Sequence, residues 1–149
     1  MSVISRETVR TLGLESASVG TRDAVSAVLS IWWRDIPSKE ALVSQLGGAD
    51  DFSLVAECEG RLVGFVLARL AYVGVPMAGV CLIHSIAVLP DYQEHGIGTL
   101  LIEKLRDDCK AKGVHTLRAL VPAGNARLTS ICQELGFQRS PVVNFDISL

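Results

Sequence analysis

"VCLIHSIAVLPDYQEHGIGTLLIEKL", residues 80–105, runs from an apolar stretch into an amphipathic one through a short segment carrying two glycines, Gly96 and Gly98. Residues 80–88 are apolar on both faces, which predicts a strand in the interior of a sheet. The amphipathic stretch after the glycines predicts a helix continuing to about Lys112 and stopping at Gly113. A helix start leaves its first four N–H groups without partners, and the aligned peptide dipoles add partial positive charge, so the junction suits an anion. Glycine at 96 and 98 removes side chains that would hold a phosphate away. Acidic residues, favoured in a first helical turn, are missing from Gly98 to Leu101 and first appear at Glu103.

Outward from this junction, residues 3–12 predict a first strand. From Thr21, which can cap a helix, Val25, Val28, Leu29 and Trp32 recur at helical spacing, with Pro37 near the end. A second short helix comes next, capped by Ser38 and stopped at Gly47 and Gly48. "FSLVAEC", residues 52–58, and "LVGFVLARLAY", residues 62–72, are strand-like runs joined in a hairpin through Glu59, Gly60 and Arg61. "VHTLRALV", residues 114–121, predicts another strand. Asn125 caps a last helix whose Leu128, Ile131, Cys132 and Leu135 share a face and which Gly136 ends. Residues 137–148 predict one or two further strands. The order β-α-α-β-β-β-α-β-α-β gives an α/β (α+β) fold, a mixed sheet with helices packed on it, in a single domain over 1–149.

The composition of this 149-residue chain, about half apolar and one fifth charged, is that of a folded globular protein. A net charge of −2 with scattered Lys and Arg does not supply the concentrated basic face that nucleic acid requires. Residues 70–90 hold no Asp, Glu, Lys or Arg, but Gly74, Pro76, Gly79, His84 and Ser85 interrupt them. The stretch therefore reads as two buried strands around a turn and not as a membrane span. "MSVISRETVR" has no signal-peptide core, so a cytoplasmic location is expected. Cys58, Cys81, Cys109 and Cys132 form no C-x-x-C pair. Neither a metal site nor a disulfide framework is expected of them, and all four read as small packing residues.

Two familiar phosphate loops do not fit the glycine pair. A dinucleotide-binding loop has a third glycine where this chain has Leu101, and a nucleotide-triphosphate loop places Lys then Ser or Thr after its last glycine. "Gln93-Glu94-His95-Gly96-Ile97-Gly98" instead resembles the (Arg/Gln)-x-x-Gly-x-(Gly/Ala) signature of the GCN5-related N-acetyltransferase (GNAT) superfamily. "NARLTSICQELGF", residues 125–137, resembles that family's later Asn-helix-Leu-Gly-Phe segment. The likeness in element order spans essentially the whole chain and is most specific over 80–137. It implies a mostly antiparallel mixed sheet of six to seven strands with about four helices. It also implies acetyl-coenzyme A as co-substrate, its pyrophosphate held by the backbone of Gln93, Glu94, His95, Gly96, Ile97, Gly98 and Thr99. Ile86, Ala87 and Val88 would line the pantetheine and thioester, with the Val88 amide as donor to the carbonyl oxygen, and Asn125 would either contact the cofactor or serve as a helix cap.

Acetyl transfer to an amine requires a neutral amine, a stabilised oxyanion and a proton for the departing thiolate. His84 stands where histone-type members of the family carry a glutamate, and imidazole, with an ordinary pKa of about 6.5, can accept a proton near neutrality. By strand alternation His84 also shares a face with Leu82, Ile86 and Val88, which leaves open a buried, hydrogen-bonded core histidine. The ribosomal-protein alanine acetyltransferases carry a glutamate where this chain has Leu120, and Arg118 cannot replace it because it stays protonated. Where many members carry a tyrosine as acid, this chain has Cys132; a thiol of pKa about 8.5 is a shorter donor, and packing is the competing role.

The acceptor is expected at "WWRDIPS" (32–38), "VGVPMAG" (73–79) and "QRSPV" (138–142), with one of Trp32 and Trp33 lining the pocket or both packed in the fold. Asp35, Asp50 and Asp51 are suited to attract a cationic amine or to sit as ordinary surface charges. The partner so implied is an amine-bearing small molecule or peptide, and "VVNFDISL" (142–149) offers an apolar strand for pairing across a homodimer. Two further readings stay open: an acyl-coenzyme A sensor without turnover, and an acetyltransferase of protein amino termini.

Overall fold

The computed structural model describes residues 9–11, 50–58, 61–92 and 96–149. The two predicted N-terminal helices, most of the first strand, the Trp32–Ser38 junction with Asp35, and Gln93, Glu94 and His95 lie outside the described residues. Contacts divide the chain into two compact units, Met1–Ala119 and Leu120–Leu149.

In the first unit, β1 (Val9–Thr11), β2 (Leu54–Cys58), β3 (Arg61–Val73), β4 (Ala78–Val88) and β5 (Leu117–Ala119) form one sheet in that order. The first three pairings are antiparallel and β4 with β5 is parallel. The sheet is therefore mixed and mostly antiparallel, with five strands among the described residues. The predicted β2–β3 hairpin is present, closing on the pair Cys58 and Arg61. Turn Gly74–Met77 joins β3 to β4, and Gly74 takes a φ of 95°, a left-handed value open to glycine at little cost. The expectation of two buried strands over 70–90 holds only in part. The hairpin is there, but its tip is open to solvent, with Tyr72, Val75 and Met77 exposed. A two-stranded ribbon that extends past its neighbours has nothing to cover it.

A helix, α1 (Ile97–Ala111), lies against the sheet with Ile97, Leu101, Ile102, Leu105 and Cys109 buried along one stripe. Its apolar face joins Leu54, Ala56, Val63, Val66, Ala68 and Cys81 in the main core cluster. Each large side chain so buried is worth roughly 1.5–3 kcal/mol relative to exposure, and this burial, more than helix propensity, holds α1 in place. The helix stops as the sequence implies. Gly113 takes φ 75°, its N–H bonds to the Lys110 carbonyl at 3.1 Å, and the Val114 N–H bonds to the Cys109 carbonyl at 2.8 Å, a Schellman closure.

Within the second unit, α2 (Ala126–Glu134) begins at Asn125, whose side-chain oxygen accepts the Leu128 N–H at 3.0 Å. It ends in the same closure at Gly136, with Phe137 N–H to the Cys132 carbonyl at 2.9 Å. No residue of α2 is buried, so Leu128 and Ile131 of the predicted packing face are exposed. The strands expected over 137–148 do not form, and Val142, Val143, Phe145, Ile147 and Leu149 are exposed. An alternating pattern is only a capacity for strand structure; hydrogen bonds to a partner make the strand.

Candidate active site

β4 is the element on which the site depends, and a single inserted residue divides it. Successive β3 residues Leu67 and Ala68 pair with Ser85 and Ile83, so His84 has no opposite number and forms a β-bulge. Cys81 and Ile83 before the bulge, and Ile86 and Val88 after it, all belong to the cluster under α1. An uninterrupted strand would have turned the second pair away. The bulge overturns the expected grouping of His84 with Ile86 and Val88. His84 is exposed and is not a core histidine.

The surroundings of His84 make it a better proton acceptor than an acid. Protein packed around the imidazole disfavours its charged form, and the Arg69 guanidinium adds to this, so its pKa lies below the ordinary 6.5 even though the residue as a whole is exposed. The ring is therefore neutral at pH 7. The neighbouring Ser85 is only 5% exposed, and its hydroxyl has no hydrogen-bond partner among the described residues. No motif in the sequence marks Arg69 for the site, because register, which pairs Arg69 of β3 with Leu82 of β4, brings it near His84.

Beyond the bulge, β4 keeps its pairing with β3, whereas its pairing with β5 stops at Ile83 and Ala119. Ile86, Ala87 and Val88 thus occupy the part of β4 that β5 leaves. At the end of this stretch the Leu89 N–H bonds to the Val63 carbonyl on the β3 side at 2.8 Å. Strand alternation then directs the Val88 N–H toward the other edge.

The strand leads through the short 3-10 turn Pro90–Tyr92 to the start of α1. Gly96, the residue before the helix, has φ 81° and ψ 9°, and among the described residues no side chain caps the helix start. The first main-chain bond runs from the Leu100 N–H to the Gly96 carbonyl at 3.0 Å, and no acidic residue occupies the first turn. The N–H groups of Ile97, Gly98 and Thr99 precede that bond and have no intrahelical acceptor. A Cβ on Gly96 would meet nothing within 4 Å. Gly64 on β3 matters for the opposite reason. A Cβ there would stand 3.1 Å from the Ala87 carbonyl and 3.2 Å from Ile97 Cγ2, so its missing side chain lets β4 and the helix start close together.

Asp51, one candidate for attracting a cationic amine, accepts the Ser53 N–H at 2.9 Å in a local turn. In the second unit, burial raises the pKa of the half-buried Cys132, which keeps its thiol protonated at neutral pH. Among the described residues no three His, Cys, Asp or Glu gather as a metal-ligand set, and no described helix is long and apolar enough to cross a membrane.

Residues 22–137 match the model of the acetyltransferase (GNAT) family. The chain belongs to that family. The ribosomal protein bS18-alanine N-acetyltransferase of Escherichia coli strain K12 is 41% identical over 58 residues, 39% of each chain. The L-2,4-diaminobutyric acid acetyltransferase of Nocardia farcinica is 29% identical over 120 residues, 78% of this chain and 54% of that protein. The chain thus spans well under two thirds of the length of these curated relatives. Among solved structures, the acetyltransferase AAC(6')-Iy, in complex with a bisubstrate analogue of coenzyme A, superposes with a TM-score of 0.74 at 19% identity. The match covers 95% of this chain and 97% of that one. The aminoglycoside 6'-N-acetyltransferase AAC(6')-Ih of Acinetobacter baumannii gives 0.71 at 22% identity, over 89% and 95%. These likenesses establish the GNAT fold.

Proposed function

We propose that this GNAT chain, acting as one domain over 1–149, moves an acetyl group from acetyl-coenzyme A directly to a primary amine of a small molecule or peptide. Family membership over residues 22–137 carries the reading. The start of α1 fits a diphosphate: its first turn lacks acidic residues, no described side chain caps it, and its left-handed Gly96 has open space among the described residues where a Cβ would stand. Residues 93–99 hold the pyrophosphate, and Ile86, Ala87 and Val88 line the pantetheine arm, with the Val88 amide directed at the thioester carbonyl. The coenzyme supplies the acetyl group as an activated thioester.

His84, neutral at pH 7, takes the proton of the attacking amine. In the second unit, the Cys132 thiol stays protonated at neutral pH and is suited to serve as an acid. The Asn125 cap uses the side-chain oxygen, and its amide NH2 is a further donor. The reading needs no metal, and it places the chain in the cytoplasm.

Titration calorimetry with acetyl-coenzyme A is expected to show one site, and no binding at millimolar ligand overturns the proposal. Gly96→Val forces a β-branched residue into a left-handed backbone at a cost of about 1–2 kcal/mol, so the affinity should fall roughly tenfold. A thiol-release assay over a panel of amines then finds the acceptor. Cys132 in place of the usual tyrosine favours a second reading, a coenzyme sensor, and that reading predicts binding without thiol release. Activity on short peptides but not on free amines would instead place the acceptor with that of the Escherichia coli relative. The exposed alternating residues Val143, Phe145, Ile147 and Leu149 favour pairing with a second copy, which light scattering checks.

A further inference from the structure

We propose that Ser53 is a positioning residue for His84: its hydroxyl holds the β3 residue that faces the bulge, and so keeps the imidazole out of the core. The bulge fills the interval between two pairs, Leu67 with Ser85 and Arg69 with Leu82. In that interval β3 has Ala68 alone, and β4 has Ile83 and His84. Either of the two can face Ala68. Ala68 belongs to the cluster under α1, and residues paired across strands share a face. With Ile83 opposite Ala68, as the structure has it, His84 is exposed. With His84 opposite, the imidazole would turn inward.

The other side of Ala68 shows what holds it. Register continued from Leu54 and Val66 sets Phe52 opposite Ala68, where a regular antiparallel pair exchanges two main-chain bonds. The Phe52 N–H makes one of them, to the Ala68 carbonyl at 2.9 Å. The Ala68 N–H donates instead to Ser53 Oγ at 3.1 Å, and the Ser53 hydroxyl donates back to the Ala68 carbonyl at 3.4 Å. Ser53 is itself fixed, only 2% exposed and with its N–H on Asp51 Oδ1 at 2.9 Å. A buried N–H without an acceptor is costly. On loss of the hydroxyl, β3 therefore shifts toward the Phe52 carbonyl and draws Ala68 from its place against Ile83.

The test labels the imidazoles of the full chain with diethyl pyrocarbonate at pH 8, above the ordinary imidazole pKa of about 6.5, and maps them by mass. His115, exposed and outside both β3 and β4, is the internal reference. In Ser53→Ala the labelling of His84 relative to His115 should fall about threefold as part of the population turns inward. Ser53→Thr, which keeps the hydroxyl, should restore it. The effect on rate rests on the reading of His84 as the base: kcat should fall by the same factor, with coenzyme affinity unchanged, because only the outward imidazole takes the proton.

An unchanged labelling ratio in folded Ser53→Ala overturns the positioning role. A lowered ratio with unchanged kcat supports that role and counts instead against His84 as the base. Should Ser53→Ala fail to fold, amide exchange in the wild-type chain decides. Protection of the Ala68 N–H equal to that of its β3 neighbours supports the proposal, and exchange at the rate of an exposed amide overturns it.

Discussion

The two halves of β4 share one strand and differ in what they do. Before the bulge, Cys81, Leu82 and Ile83 are paired on both sides, with β3 and with β5. After it, Ser85 to Val88 stay in register with β3 alone. The first half has its ladder bonds satisfied by the sheet and serves as framework. In the second half the pairing described is with β3, and the bulge between the halves sets His84 outward while returning Ile86 and Val88 toward the core. A strand can thus change its pairing part-way along and still keep its apolar face buried, provided that one residue is inserted at the boundary.

The contrast is broken most severely at the bulge. His84→Gln is expected to lower the rate about 10²-fold with unchanged affinity for acetyl-coenzyme A, as measured by steady-state kinetics beside calorimetry. The wild-type rate should be flat around pH 7 and fall only below pH 6.5, because the lowered pKa keeps the base neutral until that point. The variant should lose this acid limb.

Gly64→Val tests whether the second half must lie close to the start of α1. Crowding Ala87 and Ile97 should cost about 1–3 kcal/mol in denaturant unfolding and weaken the coenzyme as well. Val80→Ala probes the framework half. It removes two buried methyl groups near Cys81 and should cost about 1.5 kcal/mol of stability with coenzyme affinity unchanged. Asn125→Ala should cost about 1 kcal/mol through loss of the α2 cap. A loss of affinity beyond that small structural effect would give Asn125 a part in binding.

Much of this is legible in the sequence because local physics fixes it. Gly113 and Gly136 end their helices in the closures that glycine permits, Asn125 caps α2, and the β2–β3 hairpin closes at Arg61. The vacancy in the first turn of α1 is visible as missing acidic residues. Where sequence and structure part, the cause is contact between distant segments. Alternation counted through a position at which the register slips puts His84 on the apolar face. The tail reads as strand because its pattern permits one, and the tip of the β3–β4 hairpin reads as buried because its composition is apolar.

What the sequence determined by itself was the helix with an acid-free first turn after an interior strand, since both depend on residues within a few positions of one another. The tertiary structure alone decided which way His84 faces and where β5 parts from β4. Each of these depends on pairing between segments distant in the chain, and a shift of one residue in that pairing exchanges the two faces of a strand.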